Sequence, residues 1–256
     1  MIRGFYTAAS GALTQQKTLN VVANNISNIS TVGFKSQNTV TTSFYDHIVS
    51  RMSNLNKGDL LQPIGPGTFL SVTLGEYTNY GQGAFENTDI PTNVAINGKG
   101  YFMIETEKYG NVLTRNGQFS ISDDGFLVLE GLGRVLSEDG EPIELTVSDI
   151  TIDRNGMIHD SEGEELAKIF VGTVEENTEL RKVGEDFFVT KDGSDFIVQA
   201  EDQYDVIQGK IEKSNVGLSE QLTKMIEAQR SFQSCTQVLK MYDQVNDQSI
   251  VLGSIT

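Results

Sequence analysis

Apolar side chains near the start of the chain recur at alternating spacings of three and four. The positions are Ile2, Phe5, Ala9, Ala12, Gln16, Leu19, Ala23 and Ile26, and Gln16 is the one polar member. This is a heptad stripe, and it predicts an amphipathic helix that buries one face against another helix. Ser10, Thr14, Lys17 and Asn24 fall on the opposite face. Asn25, Asn28 and Gly33 supply left-handed positions able to end the helix. The far end of the chain mirrors this pattern through Leu218, Leu222, Met225, Ala228, Phe232, Cys235, Leu239 and Tyr242. Ser214 or Asn215 offers an N-cap, and no proline follows Pro142. A helix over residues 216–250 would be about 50 Å long, more than a small domain covers, so it too calls for a helical partner.

Between the two ends the rhythm shortens to β-rich runs closed by Asn-Gly or Asp-Gly. Val94-Ala95-Ile96 precedes Asn97-Gly98, Val112-Leu113-Thr114 precedes Asn116-Gly117, and Phe119-Ser120-Ile121 precedes Asp124-Gly125. Ile150-Thr151-Ile152 runs toward Asn155-Gly156. These dipeptides supply the positive φ angles of tight hairpins and predict an antiparallel β domain. Residues 34–90 are rich in Ser, Thr, Asn and Gly, carry Pro63 and Pro66, and read as an extended connector with some β structure. The predicted class is therefore α+β. Paired long N- and C-terminal helices, coiled-coil-like, flank an inserted antiparallel β domain. The expected parts are 1–33 with 215–256 as a terminal helical assembly domain, 34–90 as connector, and 91–214 as the β domain. Two helices with stripes that neither satisfies alone suit a subunit that polymerises.

Charge sharpens the division. The chain of 256 residues carries a net charge of −16. Residues 1–40 hold Arg3, Lys17 and Lys35 and no acid, whereas residues 91–210 carry −15. A surface of that sign excludes nucleic acid as a partner, because phosphate binding needs a basic patch. No apolar run approaches the ~20 residues that span a bilayer, so direct membrane insertion is not expected. Residues 1–20 lack an unbroken apolar core and a small-residue cleavage site, so any export is expected to bypass a Sec-type signal.

Catalytic chemistry finds little footing. His47 and His159 lie in different segments, and Cys235 sits on the apolar stripe as a small hydrophobe. Asp153, Asn155 and Gly156, followed by Asp160, Glu162, Glu164 and Glu165, evoke a calcium loop. An EF-hand needs an oxygen ligand at its fifth position and glycine at its sixth; Met157 occupies the fifth and the glycine comes at the fourth. The segment reads as a hairpin turn. No catalytic residue, cofactor site or metal site is expected.

Three ordered motifs carry a family likeness. The first comprises Ala9-Ser10-Gly11, Gln15-Gln16, Leu19 through Asn28, and Thr31-Val32-Gly33-Phe34-Lys35. The second is Asn93-Val94-Ala95-Ile96-Asn97-Gly98-Lys99-Gly100-Tyr101-Phe102, with Leu113 through Phe119 after it. The third is Ser214-Asn215-Val216, Leu218 and Met225 through Phe232. Together they resemble the signatures of bacterial flagellar rod and hook proteins, from Met1 to about Gln248. Gly217 departs from the pattern, and residues 249–256 have no counterpart in it.

The resemblance implies a structural subunit and no enzyme: a homopolymer forming the hollow basal-body rod that links motor to hook and transmits torque. It also implies export by the flagellar type III apparatus without a cleaved signal peptide. The implied location is a basal body crossing the envelope through the periplasm, among other rod, hook and ring proteins. The chain is shorter than a typical hook protein, and the connector with Ile64-Gly65-Pro66-Gly67 favours the distal over the proximal rod. The expected assembly interface comprises Ile2, Phe5, Ala9, Ala12, Leu19, Ile26, Leu218, Leu222, Met225, Phe232, Leu239 and Tyr242. The competing reading is a secreted fibre or adhesin subunit with coiled-coil ends, which accounts for the architecture but not for the three motifs.

Overall fold

The computed structural model describes residues 2–51, 62–145, 150–173, 180–184, 186–190, 197–198 and 204–253. Within these, side chains are described except at 2–3, 43–51, 62–70, 173, 190 and 197–198. The class is α+β, with helix α1 at Ile2–Ser27, helix α2 at Leu218–Gly253 and antiparallel strands between them. The chain divides into two compact units. One gathers Met1–Ser27, Gln37–Asn79 and Gly217–Thr256; the other gathers Asn28–Ser36 and Tyr80–Val216.

In the first, helical unit, the segment read as a connector includes one long hairpin. Strand β1 (Gln37–Arg51) pairs antiparallel with β2 (Gln62–Thr78), from Gln37 opposite Thr78 to Arg51 opposite Gln62. The threonines and valines of Gln37–Thr42 and Val72–Thr78 favour an extended backbone. Register shifts between Val40 and Thr41 and between Val49 and Ser50 mark bulges, which bend and twist a ribbon. The hairpin packs on α1 through small polar groups: the Thr14 hydroxyl donates to the Ser71 carbonyl (3.3 Å), and the Thr18 and Thr39 hydroxyls meet at 3.2 Å.

In the second, β unit, strands β3 (Phe85–Asn87), β4 (Val94–Gly98), β5 (Tyr101–Thr106) and β6 (Gly110–Thr114) follow in order. Among the described residues the β5–β6 hairpin is the centre of a nine-stranded sheet. Alternate residues of β5 enter two cores. Phe102 and Ile104 join Val94, Ile96, Val112, Phe119 and Leu127, while Tyr101 and Met103 join Leu113, Leu136, Phe170 and Phe188. A strand covered on both faces reads as an unbroken apolar run, which is the look of Tyr101–Ile104.

The ends of the β unit zip together. Strand β3 pairs with Lys210–Glu212 and β4 with Tyr204–Gln208. Asn97-Gly98 therefore closes no tight hairpin, although the dipeptide predicts one. Gly98 and Gly100, with φ of 111° and 131°, redirect the chain instead, and the C-terminal strand takes the hydrogen bonds of β4. Asp124-Gly125 behaves as predicted, with Phe119–Ile121 pairing with Leu127–Leu129 across it. Asn155-Gly156 likewise joins Ile150–Ile152 to Met157–Asp160.

Candidate assembly interface

The helices of the helical unit run antiparallel, and their contacts keep step in sevens. A Cβ on Gly4 would collide with the Tyr242 hydroxyl, and one on Gly11 would lie 3.1 Å from the Cys235 sulfur. Asn25 reaches Gln221, its Nδ2 donating to Gln221 Oε1 at 3.2 Å. Gly4, Gly11, Thr18 and Asn25 advance by seven along α1, while Gln221, Ala228, Cys235 and Tyr242 advance by seven along α2. The α1 side of this seam is small or polar, which lets the helix backbones approach closely. Phe5 closes the end with an edge-on contact to the Tyr242 ring, centroids 6.5 Å apart.

Asn25 acts as a fastener. It is fully buried, accepts from the Gln37 amide (2.9 Å) and donates to the Gln37 carbonyl (2.7 Å). One side chain thus pairs the start of β1 as a neighbouring strand would, and at the same time reaches α2. Lys224 adds a second tie, donating to the Asn38 side chain at 3.3 Å.

The predicted interface residues divide on this geometry. Ala12 is buried within the chain. Ala9, Leu19 and Ile26 on α1 and Met225, Phe232, Leu239 and Tyr242 on α2 are half-buried. Phe5, Leu218 and Leu222 are exposed, and the side chain of Ile2 lies outside the described residues. The buried face of α1 is rotated from the predicted stripe toward Ala8, Ala12, Val22 and Asn25, and Val21 and Thr14 are buried beside it. On α2 only Gln221 and Ala228 are buried. Sequence reading missed Gly4, Gly11 and Gln221 because glycine and glutamine do not register on an apolar count. The seven-residue recurrence of glycine opposite cysteine and tyrosine was the signal available.

Many apolar side chains of α2 are exposed. Ile226, Met241 and Leu252 are 52%, 61% and 71% exposed, and Leu218, Leu222, Val238, Val245, Ile250 and Val251 are exposed with them. Val238, Met241, Val245 and Leu252 themselves repeat at heptad spacing. No helix among the described residues is long and apolar enough to cross a membrane.

In the β unit, residues from all three motifs converge on one buried charge cluster. Glu212 Oε1 accepts from Lys35 Nζ (2.7 Å) and from the Gly83 amide (2.8 Å), and Glu212 Oε2 accepts from Arg115 Nη1 (3.2 Å). Lys35 also donates to the Gly81 carbonyl. Arg115 donates to the Ile96 and Gly98 carbonyls and lies over the Tyr101 ring. Asn215, instead of capping α2, accepts from the Ser36 amide at 2.8 Å and donates to the Gly81 carbonyl at 2.9 Å. Burial holds the Lys35 ammonium below the ordinary lysine value; Glu212 opposes that shift, and Arg115 adds to it. Burial likewise pushes Tyr101 above the ordinary tyrosine range. Glu212 is indispensable here, since a buried cation without its counterion costs several kcal/mol.

Comparison with known proteins settles the family. Residues 5–35 match the family described as "Flagella basal body rod protein". Residues 95–194 match "Flagellar hook protein FlgE/F/G D1 domain", and residues 207–251 match "Flagellar basal body rod FlgEFG protein C-terminal". The chain belongs to the flagellar rod and hook protein family. It is 30% identical to the flagellar basal-body rod protein FlgG of Borreliella burgdorferi, over 95% of this chain and 96% of that one. It is also 30% identical to the proteins of the same name from Bacillus subtilis, over 96% and 97%, and Caulobacter vibrioides, over 93% and 95%. The family is one of structural basal-body proteins, and this chain is a structural rod protein and not an enzyme.

Proposed function

We propose that the chain polymerises into the hollow basal-body rod, with the exposed apolar side chains of α2 as its contact with neighbouring copies. The carrying observation is the row of exposed apolar residues on a helix whose buried face holds only Gln221 and Ala228. A single chain gains little from such a helix, whereas neighbouring copies would bury it at ~25 cal/mol per Å². The interface centres on Leu218, Leu222 and Ile226 at one end of α2 and Val238, Met241, Val245 and Leu252 at the other. On α1 the exposed Phe5 and the half-buried Ile26 are counted with it. The acidic β unit meets other rod, hook and ring proteins, and the rod passes torque from motor to hook. Of the two rod positions the distal one is favoured, since the relatives above carry the FlgG name. Export by the flagellar apparatus, without a cleaved signal, delivers the subunit across the envelope.

Leu222→Asp and Met241→Asp test this reading. Both side chains are exposed in the single chain, so the isolated variants should melt like the parent. In a strain lacking the native copy, both should abolish rod assembly and swimming, because an unpaired carboxylate in a packed layer costs several kcal/mol at every subunit. Normal rods from both variants would refute the interface.

A further inference from the structure

The β unit has four chain ends, at Asn28, Ser36, Tyr80 and Val216. Three of them are drawn together by side chains. Lys35 joins the second end to the third through Gly81, and Glu212 joins the fourth to the third through Gly83 and to the second through Lys35. Asn215 joins all three, accepting from the Ser36 amide and donating to the Gly81 carbonyl. Backbone bonds follow the same path. The Gly33 amide donates to the Glu212 carbonyl (2.8 Å), the Lys213 amide to the Ala84 carbonyl (2.8 Å) and the Asn215 amide to the Phe34 carbonyl (3.4 Å). Lys182 reinforces the second end, donating to the Lys35 carbonyl and lying over the Phe34 ring at 3.6 Å.

We infer that Lys35, Glu212, Arg115 and Asn215 form a lock on these three ends, so that a twisting load entering the β unit along any one of them is shared by all three. Separate chain ends would transmit torque only after stretching, one at a time. The lock is selective because its central carboxylate is shared: Lys35 and Arg115, at 1% and 6% side-chain exposure, both depend on Glu212 at 0%. Arg115 anchors the cluster to β4 through Ile96 and Gly98, which ties the ends to the main core rather than only to each other. This inference rests on the rod reading for its mechanical purpose, but the lock itself is a property of the single chain.

Hydrogen exchange on the full-length monomer separates the two. Glu212→Gln and Asn215→Ala should speed exchange of the Gly33, Gly83 and Lys213 amides by about tenfold, the scale of one weakened charge-assisted hydrogen bond. The Leu136 and Ile143 amides, bonded to Met103 and Val135 inside the unit, should be unchanged. If Glu212→Gln speeds all of these amides together, Asn215→Ala decides, since it leaves the three charges in place. Faster exchange confined to the chain ends supports the lock, and unchanged exchange there overturns it. Cells carrying Asn215→Ala should build rods yet swim slowly in viscous medium. Undiminished swimming under load, with loosened ends, would overturn the mechanical role while leaving the rod reading intact. Absence of rods from the Leu222→Asp strain tests that reading separately.

Discussion

Gly33 and Gly110 share nearly the same left-handed backbone, φ of 72° and 68°, and differ in what surrounds them. A Cβ on Gly110 meets nothing within 4 Å, whereas one on Gly33 would lie 2.5 Å from the Asn116 amide nitrogen and 2.6 Å from the Arg115 carbonyl carbon. Alanine at either site adopts a conformation costing roughly 1–2 kcal/mol, partly offset by about 0.4–1 kcal/mol of reduced freedom in the unfolded chain. Gly110→Ala should therefore destabilise the β unit by about 1 kcal/mol or less. At Gly33 the neighbouring backbone must also retreat by about 0.9 Å to reach ordinary contact, and overpacking of that kind adds about 1–3 kcal/mol. Retreat strains the Gly33 amide bond to the Glu212 carbonyl as well, worth about 1 kcal/mol. The total for Gly33→Ala is about 3–5 kcal/mol. For a unit of roughly 150 residues that lowers Tm by about 8–15 °C, against about 2–3 °C for Gly110→Ala. Four of the chain's eight tyrosines, Tyr80, Tyr101, Tyr109 and Tyr204, lie in the β unit, and both substitutions are in that unit, so the difference between variant and parent melts in near-ultraviolet circular dichroism reports it. Equal Tm values for the two variants would refute the close approach of Gly33 to the Arg115–Asn116 backbone.

Asn25→Ala removes the partner of the part-buried amide and carbonyl of Gln37 and should cost the helical unit about 1–3 kcal/mol, read as faster exchange of the Gln37 amide; unchanged exchange would contradict the fastener. Gly11→Val should wedge α1 from α2 at Cys235 and lower helical circular dichroism, while leaving hydrogen exchange of the β-unit Leu136 and Ile143 amides unchanged; an unchanged helical signal would contradict the close seam. Lys35→Met should flatten the alkaline side of the stability profile. Because burial holds the folded Lys35 below 10.5, the unfolded chain binds the extra proton between the folded value and 10.5, and parent stability rises with pH through that window. Tyr101, raised above 10.0, lowers stability in parent and variant alike beyond that pH, so the difference between their profiles isolates Lys35. Parallel profiles would refute the assignment.

Much of the fold is legible in the order of the residues alone. Both terminal helices, the antiparallel strands and the turn at Asp124-Gly125 follow from periodicity and turn chemistry. Pairing between distant segments does not. Nothing local in Val94–Gly98 says that its partner is Tyr204–Gln208, because strand pairing is set by which faces the whole unit must cover. The β1–β2 hairpin was hidden for a related reason. Its serines, threonines and glycines lack the alternation of a half-buried strand, and on α1 it is held by hydroxyl and amide bonds instead of an apolar face.

The candidate site shows the same limit from the other side. An apolar count on α1 selects Phe5, Ala9, Ala23 and Ile26, yet the close seam with α2 runs through Gly4, Gly11 and Asn25. A seam inside one chain is best made by residues that bring backbones near, so bulk works against it. Bulk is useful where a second surface has to be recruited, because burying Leu222 or Met241 gains nothing until something covers it. The residues that an apolar count ranks highest on α2 are thus divided between two tasks. Tyr242, which meets Gly4 and Phe5 on α1, is already half-covered, while Leu218, Leu222 and Ile226 stand exposed. Periodicity finds both sets but cannot separate them, since they lie on adjoining faces of one helix and differ only in which neighbour is present.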